Sequence, residues 1–335
     1  MVSDRQARVG IVGGVLLLAA ALVPNQRSGA APILFLDTSP PQSREAAETF
    51  ALPITPPLDQ GDSDLCWVYA ALSMLETNYL SRHPGSRVEL SRAALQRDTI
   101  ADRFARRIRG EPGPLEEGGL SIEALKIIRE KGIVARADFH DIVDSEPIFD
   151  AIEDKLANAP DSQEKLNVLR EQLKTNLGET PPVTHLDGEA LSPQALARAM
   201  LEKREWMEYD LSRDGFEGLG PSHDPDARPD TRVTYVKLDR MIGLIHRSLQ
   251  HGQAVVAGSD DHAFLIYGGD YDKDGKPIAY LIKDSLAPLT RRAGADELHQ
   301  TLNDVTVAMD PAPADEHAAL GGGPKRPLPA TKTQP

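Results

Sequence analysis

From Cys66 onward the apolar residues Val68, Ala71, Leu72, Leu75 and Tyr79 recur at steps of three and four, the spacing of one helix face. The polar, turn-forming stretch Asp59-Gln60-Gly61-Asp62-Ser63-Asp64 precedes them, so the helix is expected to begin at Cys66 itself. Leu90-Ser91 opens a second helix, with Ser91 as N-cap ahead of Ala94, Leu95 and Ile100. Gly118-Gly119 interrupts the pattern. A third helix then runs from a Ser121 cap through Leu125 and Ile128 to a stop at Gly132. Helical segments near 146–157, 163–177 and 193–206 follow, divided by Ala159-Pro160 and by Gly178-Glu179-Thr180-Pro181-Pro182.

Residues 212–232, rich in Gly, Pro and Asp, read as a mobile surface loop. A helix near 238–251 ends at Gly252, and the period then switches to that of strands, at 254–257, 262–267, 278–282 and 305–309. Asp272-Lys273-Asp274-Gly275 is the hairpin turn between the second and third of these. The run Asp270-x-Asp272-x-Asp274-Gly275 imitates the start of a calcium loop, but its twelfth position is Leu281, which offers no oxygen ligand. Helices first and antiparallel strands last predict an α+β fold.

Composition adds an address and removes some partners. Residues 1–30 have a basic start (Arg5, Arg8), an apolar run of 15 residues and a small-x-small site at Ser28-Gly29-Ala30. That order matches a secretory signal peptide, and the run is shorter than the ~20 residues of a spanning helix. Cleavage near Ala30 and a secreted or periplasmic protein are expected, with an uncleaved N-terminal membrane anchor as the alternative. Residues 31–51 read as an extended lead-in, 52–310 as the main domain, and 311–335 as a disordered Pro/Gly-rich tail. The net charge of −14 argues against nucleic acid and anionic membranes as partners. His83, His140, His185, His223, His246, His251 and His299 show no metal-ligand spacing, so no metal or cofactor is expected.

Cys66 is the single cysteine, so it cannot form a disulfide within its own chain. A thiol reacts as its thiolate, which a helix N-terminus, a nearby imidazolium and partial exposure all favour. Cys66 has the first by its place in the sequence. Among the nine histidines, His262 is best placed to supply the second, at the start of a strand after Asp260-Asp261.

Gln60-Gly61 followed by Cys66-Trp67, with six residues from glutamine to cysteine, resembles the papain family of cysteine peptidases. Asp261-His262-Ala263 is similar to that family's histidine strand, Lys283-Asp284-Ser285 to its Lys-Asn-Ser segment, and Gly118-Gly119 to its paired glycines. The 178–182 stretch, Leu191-Ser192-Pro193, Val236-Lys237-Leu238-Asp239 and Gln250-His251-Gly252-Gln253-Ala254-Val255 point more narrowly to the bleomycin hydrolase, or aminopeptidase C, branch.

The resemblance implies a two-lobed papain-like fold over 52–310. A helical lobe carries the nucleophile helix, an antiparallel β lobe follows, and a helical insertion spans about 144–206. It implies Cys66 as nucleophile, His262 as general base and acid, Asp284 as the group orienting His262, and Gln60 with the Cys66 N–H as oxyanion hole. Gly118, Gly119 and Trp67 would bind substrate. Two positions depart from the family: Asp284 stands where an asparagine is usual, and Leu286 where an aromatic shields the pair. The expected function is hydrolysis of peptide or protein substrates through an acyl-enzyme. Transfer of the acyl group to amines, or a catalytically inactive peptide- or protein-binding domain, are the other readings.

Overall fold

The computed structural model describes residues 46–309, apart from 114, 140–143, 225–226 and 260–261. The expectations for the leader, most of the lead-in and the tail lie outside the described residues. Within them, no helix is long and apolar enough to cross a membrane.

A short strand, β1 (Glu48–Ala51), leads into three helices, α1 (Cys66–Arg82), α2 (Arg92–Ile108) and α3 (Ser121–Lys131). Then come α4 (Glu146–Ala157), α5 (Ser162–Leu177), the hairpin β2 (Thr184–Leu186) and β3 (Glu189–Leu191), and α6 (Pro193–Leu201). Next come β4 (Glu205–Leu211), β5 (Gly218–Pro221), β6 (Arg232–Val236) and α7 (Leu238–Gln250). The chain closes with β7 (Val255–Ser259), β8 (His262–Tyr271), β9 (Pro277–Asp284), β10 (Leu289–Gly294), α8 (Ala295–Thr301) and β11 (Leu302–Met309).

Ser91 caps α2 as expected, its Oγ accepting from Ala94 N at 3.0 Å. The helix at 121 starts differently. Leu120 is its N-cap, and the Ser121 hydroxyl instead donates to Trp67 O at 3.4 Å. The segment expected as helix over 193–206 ends at Leu201, because Glu205–Leu211 is drawn into the sheet as β4. Its cross-strand partner β11 has Val307 opposite Met207 and Val305 opposite Tyr209.

Among the described residues nine strands form one sheet, in the order β10-β9-β8-β7-β11-β4-β6-β5, with β1 paired to the far half of β8. The end of the lead-in is therefore a strand of the C-terminal lobe. The sheet is antiparallel except for β4 and β6, which run parallel. This differs from the purely antiparallel lobe expected, because β4 and β6 fall largely on 207–211 and 233–236, where the sequence pattern assigns no strand. The 272–275 turn is as expected, with Asp272 Oδ1 accepting from Asp274 N and Lys276 N at 2.9 Å each and Gly275 at φ 76°.

α1 is buried around its whole circumference from Trp67 to Tyr79, not on one face. It lies between the sheet on one side and α2, α3 and α6 on the other. α4 and α5 dock outside this layer, where Ile148, Ile152, Leu169, Leu173 and Leu177 pack against Ile100 and Phe104 of α2. Each such side chain removed from water contributes about 1.5–3 kcal/mol. The N-terminus of α1 is thereby fixed at the junction between the helical layer and the ends of β8 and β9.

Candidate active site

The loop before α1 is closed by its own backbone. Gly61 takes the left-handed conformation at φ 59°, and its N–H donates to Asp59 Oδ1 at 2.9 Å. Leu65, 1% exposed, anchors the end of the loop, and its carbonyl accepts from Val68 N at 2.9 Å and Tyr69 N at 3.0 Å. Cys66 is thus the first residue of α1, half-buried, where the free N–H groups of a helix carry partial positive charge.

His262 begins β8 with its side chain 5% exposed. Its Nε2 is 2.8 Å from Asp284 Oδ1 at the end of β9, which leaves Nδ1 as the ring nitrogen for its hydrogen bond to Cys66. Burial pushes the imidazole toward its neutral form. The hydrogen bonds to Asp284 and Cys66, with their charges, outweigh burial and raise its pKa from 6.5 to about 9. For Asp284 burial acts upward, but the bonds from His262, the Arg291 guanidinium and the Leu286 N–H more than offset it, and its carboxyl stays below the usual range. The three side chains form a chain of hydrogen bonds from the helix start to the edge of β10.

Gln60 meets this chain from the other side. Its Oε1 accepts from Ser285 Oγ at 2.7 Å, and its Nε2 donates to Ser63 O at 2.7 Å within its own loop. The amide plane is fixed, and one of its two N–H bonds is committed to the loop.

Gly118 and Gly119 lie over Trp67. The Trp67 Nε1 donates to Glu117 O at 2.9 Å, and the Arg103 guanidinium, 6.0 Å from the Trp67 ring centroid, donates to Gly118 O. A Cβ on Gly119 would stand 3.0 Å from Trp67 Cε2 and 3.1 Å from Arg103 Nη2, tight contacts to which the indole and guanidinium would have to yield by a few tenths of an ångström. Trp67 itself is 1% exposed. It departs from the substrate-contact role expected for it, because the ring is covered by the glycine segment it supports. Leu286 is 42% exposed at the rim, beyond Asp284.

Two features had no signal in the sequence. One is Arg291, whose Nη2 is 2.8 Å from Asp284 Oδ2. The other is a buried network under the site. Glu76 of α1, fully buried, pairs with Arg92 and accepts from Thr55 Oγ1 at 2.6 Å, and Lys283 Nζ donates to the same Thr55 hydroxyl at 2.7 Å. The network ties α1 to the strand that ends in Asp284. Burial drives the Lys283 pKa down to about 8, against the opposing pull of Glu76.

No protein-family model and no curated relative matches the sequence. Solved structures do. PepW from Lactobacillus rhamnosus superposes with a TM-score of 0.62 at 16% identity, over 79% of this chain and 82% of that one. The bromelain protease from Ananas comosus, in complex with the E64 inhibitor, matches with a TM-score of 0.37 at 13% identity, over 75% of this chain and 92% of that one. A clostridial cysteine protease, Cwp84, gives 0.38 at 14%, over 76% and 56%. The fold is papain-like, of the α+β class, with the Cys66 helix and the His262 strand in its two lobes.

Proposed function

We propose that this protein is a cysteine-type peptidase that cuts peptide bonds of peptide or protein substrates. The supporting observation is the relay itself: Cys66 at a helix start, bonded to His262, whose far nitrogen is 2.8 Å from Asp284. In this reading the Cys66 thiolate attacks the scissile carbonyl, and the Cys66 N–H and the second Gln60 N–H stabilise the oxyanion. The His262 imidazolium gives its proton to the leaving amine as the C–N bond breaks. Neutral His262 then takes a proton from water, whose oxygen attacks the thioester, and the acid and the Cys66–His262 pair are released and restored.

Iodoacetamide tests the pair directly. Rapid alkylation of Cys66 near neutral pH, slowed at least tenfold in His262→Ala, is the expected result. Equal rates in the two proteins would sink the reading. Gln60, turned partly into its own loop, favours one competitor, a silent peptide-binding domain. Saturable peptide binding with no turnover of a fluorogenic peptide library would select it.

The pattern of residues 1–30 supports export with cleavage near Ala30. Sequencing the N-terminus of the protein from the external and the membrane fractions of a secreting host tests it, and membrane-bound protein with an intact Met1 would favour the anchor.

A further inference from the structure

Arg291 lies on β10, which runs antiparallel to β9 with Leu289 opposite Asp284. Two positions further on, Arg291 stands diagonally across from Asp284 on the same face. Its Nη2 is 2.8 Å from Asp284 Oδ2, the oxygen opposite the one that meets His262 at the same distance. Both partners are withdrawn from water, with side chains 18% and 6% exposed.

A lone buried carboxylate 2.8 Å from an imidazole binds the imidazolium tightly and resists its giving up a proton. A guanidinium on the other oxygen counters that pull. Building on the Cys66–His262 reading above, we propose that Arg291 is a positioning residue that neutralises Asp284, so that His262 meets an oriented acceptor of nearly zero net charge. The pair then holds the imidazole ring as a carboxylate does, without its full electrostatic grip.

Among the described residues the groups around the relay are few. His262 faces Asp284 from β9 and Cys66 from α1, and Arg291 acts through Asp284 from β10. Glu297 of α8 acts on Arg291. Lys283 is turned away toward Thr55 and Glu76. Asp260 and Asp261 precede His262 in the chain.

The test follows the His262 ring by NMR titration, together with the rate at which iodoacetate alkylates Cys66 across pH. Iodoacetate is an anion, so its rate falls as the imidazolium is lost. Arg291→Gln is expected to move both the titration and the alkaline limb of alkylation upward by roughly one pH unit. Arg291→Lys, which keeps the charge, is expected to stay near the wild type. Asp284→Asn should move them downward, and Asp284→Asn combined with Arg291→Gln should return them toward the wild type. Unchanged titration in Arg291→Gln, or Arg291→Lys behaving like Arg291→Gln, would overturn the proposal. A wild type whose alkylation ignores His262→Ala defeats the pair itself, whatever Arg291 does.

Discussion

Ser285 holds Gln60 twice: its Oγ donates to Gln60 Oε1 at 2.7 Å, and its carbonyl accepts from Gln60 N at 3.0 Å. The end of β9 and the loop before Cys66 are thereby fixed to each other, across the junction of the two lobes. Ser285→Ala removes the first bond and leaves a buried amide oxygen unpaired, which costs about 1–3 kcal/mol. If Gln60 serves the oxyanion, Ser285→Ala should lower kcat roughly tenfold with KM little changed, and Gln60→Ala roughly a hundredfold. Steady-state kinetics on one cleaved peptide, with thermal melts alongside, separates the two effects.

The raised imidazole has a consequence for stability. Its value is 6.5 unfolded and about 9 folded, so the folded state holds the proton more tightly. The stabilisation is fully present below pH 6.5 and is lost as pH rises through about 9. Melting temperature should therefore fall by a few degrees across that window in the wild type. In His262→Ala that fall should disappear, leaving only the opposite rise above about pH 8 that the lowered Lys283 ammonium contributes, and an identical downward slope would assign the loss to other groups.

Gly119 is fixed by what lies beneath it. Gly119→Ala would press a methyl group against Trp67 and Arg103, at 3.0 and 3.1 Å. Overpacking of this kind costs about 1–3 kcal/mol. Trp67→Phe removes instead the bond to Glu117 O, with a loss of about 1 kcal/mol. Both variants should weaken substrate binding more than they slow Cys66 alkylation, since neither touches the relay. A large loss of alkylation rate in either would show that the glycine segment also supports the thiolate.

The helix start at Cys66 and the strand start at His262 carry local signatures, whereas Asp284 stands out only through the resemblance of Lys283-Asp284-Ser285 to the papain-family segment. Gly118-Gly119 was legible as a break, and the structure gives it a reason in the Trp67 ring. Arg291 had no such signature. Its role depends on which strand folds back beside β9, and an arginine on an edge strand looks like any solvated charge. α1 misled for a related reason. Glu76, Thr77 and Asn78 would sit on a solvent face by polarity, yet all are buried, with Glu76 satisfied by Arg92 and Thr55. The pattern carries the preceding helix to 206 and assigns no strand over 207–211, because the sheet partners of β4 lie far off in the chain. Glu208 of β4 is a charged residue only 2% exposed, on the side a strand would fill with apolar residues, which hides the period of two.

Asp210 of β4 and Asp304 of β11 are direct cross-strand neighbours, and Glu208, 2% exposed, lies beside them. Glu208 is partly satisfied, with Oε2 accepting from Ile122 N and Thr306 Oγ1 at 3.0 Å each. The Asp304 carboxylate fills the space a Cβ on Gly258 would need. Burial first, then the neighbouring Asp224, raises Asp210 from 3.8 to about 7. Asp304 rises too, through burial and the Asp210 charge. An acid raised on folding binds its proton better in the folded state, so stability declines as pH climbs from 3.8 to about 7 and the penalty is complete above that. Asp304→Asn keeps the shape and removes one charge. It should raise Tm by about 2–4 °C near pH 8 and leave it unchanged near pH 4. A melting curve lowered by Asp304→Asn at both values would mean that the carboxylate is held by a favourable partner, and that the repulsion argued from the Asp210 register is wrong.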